Sequence, residues 1–136
     1  MMPQMVDTGI LFALADRSDA WHTRVRKHLE SSHDVLLAPV TILTEVAYLL
    51  RDRASPVAEL KFVTAIADGE LAVENLHAKD WARTRDLMRT YEWLGFVDAT
   101  IVAIAERLKV RTLATTDRGH FAAIRPSHVE RFTLVP

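Results

Sequence analysis

Short apolar runs alternate with longer amphipathic stretches along this chain. Five of the runs are brief, rich in apolar residues, and bounded by an acid, a proline or a turn residue, which is typical of strands. They cover residues 5–6, 35–38, 71–74, 112–115 and 132–135. The first run leads directly into Asp7, so we expect this acid at the carboxyl end of a strand.

The stretches between these runs carry apolar residues three and four positions apart, which is the period of an amphipathic helix. The predicted helices cover residues 10–14, 20–33, 41–53, 56–67, 80–91 and 95–108. Ser18 and Asp19 supply N-cap chemistry for the second helix, and Pro56 fits the first turn of the fourth. Residues 116–121 are predicted to form a loop.

The same spacing predicts which residues of each helix face the core. We expect Leu60, Val63 and Ala67 to point inward from the fourth helix. The last helix directs four apolar residues at the core, namely Val97, Ile101, Ile104 and Leu108. Asp98 lies beside that stripe, near the start of the helix.

Alternating strands and helices favour a mostly parallel sheet covered by helices on both faces, an α/β fold. At 136 residues the chain has the usual length of one domain, and we expect residues 1–136 to form a single domain without a linker. No apolar run has the length of a membrane helix and no stretch resembles a signal peptide, so we expect a cytoplasmic protein. The absence of cysteine excludes disulfides and thiolate metal sites.

Four acids are placed to meet at one edge of the predicted sheet. Asp7 and Asp117 each follow a predicted strand, and Glu45 and Asp98 each come early in a helix after a strand or turn. Ligands of such sheets bind beyond the carboxyl ends of the strands, where strand order reverses. Glu45 also falls three residues after Ile42 on the apolar stripe of its helix, which predicts an inward-facing carboxylate.

Each acid also has a purely structural interpretation. Asp98 would be favoured by the helix dipole in a first turn, by about 0.3 to 1 kcal/mol. Glu45 could form a buried ion pair with an arginine. Convergence of all four acids, however, requires a cation, because two carboxylates about 5 Å apart repel by roughly 3 kcal/mol at an effective dielectric near 20.

Oxygen ligands without thiolates favour Mg²⁺ or Mn²⁺ over zinc. Such ions activate bound water for in-line attack on a phosphodiester. The formal charge of −1 argues against a protein that coats nucleic acid by bulk electrostatics. Without the four acids, 17 basic residues face 14 acidic ones, so the remaining surface is compatible with an anionic polymer.

Several neighbours of the acids are candidate supporting residues. Thr8 and Thr116 stand next to Asp7 and Asp117, and they could bond ligands or bound water or only cap a helix or turn. Arg118 could contact substrate phosphate or remain solvated. His120 could act as a general acid, but packing of the loop together with Phe121 is the interpretation we favour.

Four motifs of this chain, in this order, resemble the PIN domain, specifically the VapC toxins of bacterial toxin–antitoxin pairs. They are Val6-Asp7-Thr8, Thr44-Glu45-Val46, Phe96-Val97-Asp98-Ala99 and Thr115-Thr116-Asp117-Arg118-Gly119-His120-Phe121. The resemblance implies a three-layer α/β/α fold and a Mg²⁺- or Mn²⁺-dependent endoribonuclease that cleaves tRNA or rRNA. It implies that Asp7, Glu45, Asp98 and Asp117 are the catalytic metal ligands, with Asp117 as the least uniform of them in the family.

The resemblance also implies a homodimer and inhibition by a VapB-type antitoxin, whose C-terminal segment wraps the toxin and can reach its active site. Two alternatives stay open from the sequence. One is a housekeeping PIN nuclease that processes RNA, and the other is a non-catalytic module that binds RNA or protein and uses its acids as caps and ion pairs.

Overall fold

Five parallel strands form one sheet in the computed structural model, which describes residues 2–136. The strands are β1 (Pro3–Val6), β2 (Val35–Pro39), β3 (Ala72–Glu74), β4 (Thr112–Ala114) and β5 (Thr133–Val135). Their order is β3-β2-β1-β4-β5, and Met5 of β1 lies level with Leu37 of β2 and Leu113 of β4. The predicted parallel sheet is confirmed, and every predicted strand overlaps an observed one.

Seven α-helices connect these strands. They are α1 (Thr8–Ala15), α2 (His22–Ser31), α3 (Leu43–Leu49), α4 (Pro56–Ala67), α5 (Ala78–Thr90), α6 (Phe96–Leu108) and α7 (Arg118–Ala122). A 3₁₀ turn at Val40–Ile42 precedes α3, and a π-helical segment at Leu50–Ala54 follows it, so the predicted helix 41–53 is a composite of three helix types. Ser55 caps α4 by accepting a hydrogen bond from the Ala58 amide at 3.1 Å.

The helices form two groups that enclose the sheet in three layers. Helices α1 to α4 pack on one another, and α5 packs along α6. Helix α6 is buried from Ala99 to Glu106, and its Ile101 and Ile104 join Met5 and Leu113 in the core. The carboxylate of Asp98 is therefore carried by the most deeply packed helix of the molecule.

A buried ion pair anchors α6 to α5. Arg83 donates two hydrogen bonds to Glu106, at 2.6 and 3.0 Å, and the Ser127 amide donates a third at 2.8 Å. Burial opposes ionisation of Glu106, but the bonds from Arg83 and Ser127 outweigh it and lower the pKa of this carboxyl. Glu106 thus pairs with an arginine, a role that the sequence had left open for Glu45.

Strand order places a crevice beside β1. From β1 the chain adds β2 and β3 on one side of the sheet and then adds β4 and β5 on the other side. The strand order therefore reverses between β1 and β4. Ligand sites of open parallel sheets lie at such a reversal, beyond the carboxyl ends of the strands. Asp7 and Thr115 directly follow these two strands.

The prediction of which face of α4 points inward is wrong. Leu60 and Val63 are 65% and 52% exposed and Ala67 is exposed too, whereas Phe62 and Ile66 pack against the core. Apolar residues occupy both sides of α4, so spacing alone fits either face. The contact that decides between them is made by elements distant in sequence.

Two smaller predictions also need correction. Helix α2 spans His22–Ser31 and has no side-chain N-cap; Asp19 instead accepts a hydrogen bond from the Trp21 amide at 2.8 Å, ahead of the helix. The predicted loop 116–121 contains the short helix α7, because Asp117 caps its first turn. Within residues 2–136, none of the helices has the length and apolarity needed to cross a membrane.

Candidate active site

Asp7 occupies the turn between β1 and α1, where it caps the helix. Its side chain is 7% exposed, and Oδ1 accepts a hydrogen bond from the Ile10 amide at 3.0 Å. Oδ2 accepts a second bond from the hydroxyl of Thr115 at 2.5 Å. These two bonds fix the carboxylate in one orientation at the edge of the crevice.

Thr115 links two of the predicted ligands, although the sequence analysis did not select it. Its hydroxyl is fully buried, donates to Asp7 and accepts from the Asp117 amide at 2.8 Å. The signal that could have found it is its place two residues before Asp117, since threonine hydroxyls often accept from the amide two positions ahead. Thr115 therefore positions groups at the carboxyl ends of both β1 and β4.

Three of the predicted acids line one cleft of about 410 Å³. Asp7 enters it from the β1–α1 turn, Glu45 from the third position of α3 and Asp98 from the third position of α6. The remaining lining comprises Thr8, Gly9, Gly95, Phe96 and Val97. The structure thus brings together acids from three separate segments, as expected from strand order.

Glu45 reaches this cleft in a different orientation from the predicted one. It is exposed, whereas Ile42 and Val46 are buried. The 3₁₀ turn that contains Ile42 has three residues per turn, so it shifts the phase between Ile42 and the α-helix after it. Glu45 consequently stands at the mouth of the cleft, and within residues 2–136 it forms no ion pair with an arginine or lysine.

Asp117 completes the acidic group from the start of α7. Ligand atoms of Asp98, Asp117 and His120 lie within 4.8 Å of one another. His120 is bound to Asp117 through Nδ1 at 2.9 Å and is 57% exposed, while Phe121 is buried. His120 does pack, because its ring stacks on Trp93 with centroids 5.1 Å apart, but it packs at the surface and not in the core with Phe121.

The electrostatics of the site disfavour its anionic state. Burial raises the pKa of Asp7 to about 6, against the bonds from Thr115 and Ile10 that lower it, and the charges of Asp98 and Asp117 raise it further. The pKa of Asp98 is raised by burial and then by Asp117 and Glu45, with His120 opposing them. A cation held among these groups would offset both effects.

The donor set fits a hard divalent ion. Carboxylate oxygens from Asp98 and Asp117 and one imidazole nitrogen from His120 lie close enough to share a ligand, and Asp7 and Glu45 face the same space. Oxygen-rich sets of this kind suit Mg²⁺ or Mn²⁺. Neither ion is distinguished by the geometry.

The close approach of the β4–α7 turn to α1 depends on Gly9. A Cβ atom at this position would lie 2.4 Å from Oγ1 of Thr116 and 3.6 Å from Oδ1 of Asp7. Glycine therefore leaves the space that the Thr116 hydroxyl occupies here. A glycine two residues after Asp7, in a chain with only four glycines, is the sequence signal for this contact.

The predicted supporting residues have different surroundings. Thr8 lines the cleft as the first residue of α1, and Thr116 lies against Gly9. Arg118 donates a hydrogen bond to the carbonyl oxygen of Pro136 and is exposed. Its guanidinium is therefore engaged at the C-terminal residue, with part of its surface open to solvent.

A bridge of two hydroxyls joins the helices that carry Glu45 and Asp98. Thr100 donates to the carbonyl of Val97 at 2.6 Å, and the oxygens of Thr41 and Thr100 are 2.7 Å apart. Since the proton of Thr100 is already used, Thr41 is the donor of the second bond. This bridge connects the 3₁₀ turn before α3 to the first turns of α6.

Comparison with known proteins identifies the class. The model of the PIN domain family matches residues 5–125. The chain therefore belongs to the PIN domain family, which confirms the resemblance and the three-layer fold inferred from it.

Two of the similar proteins are named VapC. The chain is 32% identical over 134 residues to Ribonuclease VapC26 of Mycobacterium tuberculosis (strain ATCC 25618 / H37Rv), a match that covers 97% of this chain and 99% of that protein. The fold resembles VapC20 of M. tuberculosis, a sarcin–ricin loop cleaving toxin, with a TM-score of 0.77, 21% identity and coverage of 93% and 98%. It also resembles a toxin–antitoxin complex from Klebsiella pneumoniae, with a TM-score of 0.73, 21% identity and coverage of 98% and 96%.

Proposed function

We propose that residues 1–136 act as one PIN domain, a Mg²⁺- or Mn²⁺-dependent endoribonuclease toxin of the VapC type that works in the cytoplasm. The observation that carries this proposal is the convergence of Asp7, Glu45 and Asp98 in one cleft, with Asp117 beside Asp98. A module that only binds RNA or protein has no need for three acids to face the same space at an energetic cost.

The four acids bind the metal ion from different positions around the cleft. Asp7 and Asp98 are the inner ligands, since both are partly or fully buried, and Asp117 joins them at the far side. The ion that they hold would supply an activated water and stabilise charge on the attacked phosphodiester. Glu45 stands at the exposed mouth, where a phosphodiester enters, and completes the ligand set.

The remaining groups of the site hold these ligands in place. Thr115 and the Ile10 amide orient Asp7, and His120 contacts Asp117 from the solvent side. Such outer contacts usually contribute 10- to 100-fold in metal affinity or activity, roughly. Asp7 and Asp117 therefore reach the site already oriented for a ligand.

An RNA substrate, tRNA or rRNA, is supported by the relatives and by charge. VapC26 is named a ribonuclease, and VapC20 is described as cleaving the sarcin–ricin loop. With its four acids neutralised by metal, the chain has more basic than acidic residues. That balance suits a polyanion at the cleft.

A VapB-type antitoxin and a second copy of the chain are the partners that we propose. The toxin–antitoxin complex among the structural neighbours supports the first. A groove of about 740 Å³ lies between α1, α2 and α4, with an apolar floor that includes Leu14 and Phe62 and a rim that includes Arg26 and Lys61. This groove suits an amphipathic acidic segment of an antitoxin.

The exposed apolar face of α4 supports the homodimer. Leu60 and Val63 are more than half exposed, as is Tyr48 of α3. Large exposed apolar side chains of neighbouring helices are typical of protein interfaces. Size-exclusion chromatography with light scattering would test this proposal, and Leu60→Asp should give a monomer.

The experiment that tests the nuclease is cleavage of a mixed tRNA and rRNA preparation by the purified, antitoxin-free protein in Mg²⁺ or Mn²⁺. Discrete fragments should form with the wild type and vanish both with a chelator and with Asp98→Asn. Fragments that persist in both controls would contradict the proposal. A folded protein that produces no fragments from any RNA offered would contradict it as well.

A further inference from the structure

Large aromatic side chains are exposed next to the acidic cleft. The chain has ten Phe, Trp and Tyr residues, and among residues 2–136 four of them are exposed. Three of these four lie on α5, on the loop after it or at the start of α6, namely Trp81, Trp93 and Phe96. Exposed rings contribute little of the stabilisation that burial would give, and their concentration at one site is typical of a binding surface.

Phe96 and Trp81 form one continuous surface that begins inside the cleft. Phe96 lines the cleft beside Asp98 and is 40% exposed. Trp81 is 55% exposed and stacks on Phe96, with ring centroids 5.7 Å apart and planes 23° apart. The two rings thus extend from the acids onto the outer surface of α5.

The same face of α5 is basic. Arg85 and Arg89 follow Trp81 at intervals of four residues, so the three side chains lie along one side of the helix, and all are exposed. Arg85 meets only the exposed Asp86, at 3.2 Å, and a surface pair of this kind is weak. The guanidinium groups therefore remain available to phosphates.

Rings beside exposed arginines favour RNA over a protein partner at this face. Single-stranded RNA is bound by stacking of its bases on aromatic side chains while cations follow its backbone. A stable protein interface is instead depleted of charge at its centre. The apolar face of α4, which carries Leu60 and Val63, fits a protein contact better than this one.

We propose that Trp81 and Phe96 form a stacking platform for an unpaired base of the RNA substrate, next to the phosphodiester in the acidic cleft. This inference rests on the proposed nuclease function and names the feature of RNA that the site recognises. Arg85 and Arg89 follow the backbone that leads away from that base. The platform selects unpaired nucleotides, because a base within a duplex has both faces covered.

The test compares Phe96→Leu and Trp81→Leu with Phe96→Tyr, which keeps a ring, and with Val35→Ala, which removes an exposed apolar side chain at the amino end of β2. Binding of a short fluorescent single-stranded RNA is measured in Mg²⁺ on the Asp98→Asn background, so that no cleavage interferes. Leucine variants should bind roughly 5- to 100-fold more weakly, the usual effect of losing one stacked base. Phe96→Tyr and Val35→Ala should bind as the parent does.

A set of RNAs with one abasic nucleotide at successive positions then locates the stacked base. One position should weaken binding to the parent protein and have no further effect on Phe96→Leu, because both changes remove the same contact. Unchanged RNA binding by both leucine variants would overturn the platform. A change of oligomeric state together with unchanged binding would also overturn it, and would assign the rings to a protein contact.

Failure of the platform and failure of the nuclease give different results. Fragments from the wild type, together with unchanged RNA binding by the leucine variants, would refute only the platform. Loss of RNA binding in the leucine variants, with no cleavage of any RNA by the wild type, would refute only the nuclease.

Discussion

The hydroxyl of Thr115 donates a hydrogen bond to the carboxylate of Asp7, across the junction of β4 and β1. The same oxygen accepts from the amide of Asp117. One buried threonine therefore orients the carboxylate of one proposed metal ligand and the backbone of a second, at the ends of two neighbouring strands. The first prediction tests this relationship.

Thr115→Val keeps the shape of the side chain and removes both hydrogen bonds. Because Asp7 loses a buried partner, we expect the free energy of unfolding to fall by about 1 to 3 kcal/mol. Loss of ligand orientation should also reduce RNA cleavage by roughly 10- to 100-fold. Urea unfolding and a cleavage assay measure the two effects, and Thr133→Val, at an exposed position of β5, is the matched control that should change neither.

The second prediction follows from the pKa of Asp7, which is about 6 in the folded protein against an ordinary value of 3.8. Between these values the folded state binds more protons than the unfolded state, so the contribution of Asp7 to stability falls as pH rises from about 4 to 7. The difference corresponds to about 3 kcal/mol at most. The raised pKa of Asp98 acts in the same direction.

Urea unfolding with a chelator, at several pH values, measures this effect as the difference between the wild type and Asp7→Asn. The variant cannot titrate at this position, so its stability should exceed that of the wild type by more at pH 7 than at pH 4. Parallel pH profiles for the two proteins would contradict the assignment.

The third prediction is that a bound metal ion offsets the loss of stability that ionised Asp7 and Asp98 cause at pH 7. At a hundred times its dissociation constant, Mn²⁺ should stabilise the wild type by about 2.7 kcal/mol. Thermal melts with and without Mn²⁺ at pH 7 measure the shift, which should shrink sharply in Asp98→Asn. An equal shift in the variant would place the bound metal away from Asp98.

The fourth prediction concerns the Arg83–Glu106 pair, one of two ion pairs that join α5 to α6. Arg83→Met leaves Glu106 buried without its cation, so we expect the free energy of unfolding to fall by about 2 kcal/mol. This value is smaller than that for a fully buried pair because Arg83 is 37% exposed. The double variant Arg83→Met, Glu106→Leu should recover much of the loss, since the uncompensated charge is gone. Chemical unfolding of both variants decides this, and a double variant less stable than Arg83→Met would refute it.

Gly9→Ala provides a steric test of the site. The added methyl group would lie 2.4 Å from Oγ1 of Thr116, so the Thr116 side chain must rotate or one of the two turns must move, at a cost of about 1 to 3 kcal/mol. Thr116→Ala in the same chain removes the colliding oxygen and should restore most of the stability. Gly119→Ala, where a Cβ meets nothing within 4 Å, is the control.

The sequence alone determined the strands, the parallel sheet and the acids at its edge. Strands with helices between them must lie parallel if the connections are helical crossovers, and their carboxyl ends then share one edge. This is why Asp7 and Asp117 could be expected near each other from their places after β1 and β4. Asp98 followed from its place at the start of the helix with the clearest apolar stripe.

Tertiary structure alone decided which way individual side chains point. Glu45 reaches the cleft mouth because a 3₁₀ turn shifts the phase of its helix, and α4 packs through Phe62 because both of its faces are apolar. Both outcomes depend on contacts with distant segments, which a local period does not contain.

The hydroxyl of Thr115 is a further example of a contact that packing between distant segments decides. The sequence placed Thr115 and Thr116 side by side after β4, and the place of Thr115 two residues before Asp117 predicts its bond to the Asp117 amide but not its bond to Asp7. Register between β4 and β1 buries the hydroxyl of Thr115 against Asp7 and turns Thr116 toward Gly9. Local periodicity thus determined the elements and the edge where the acids meet, whereas packing between segments far apart in the chain decided which side chains touch there.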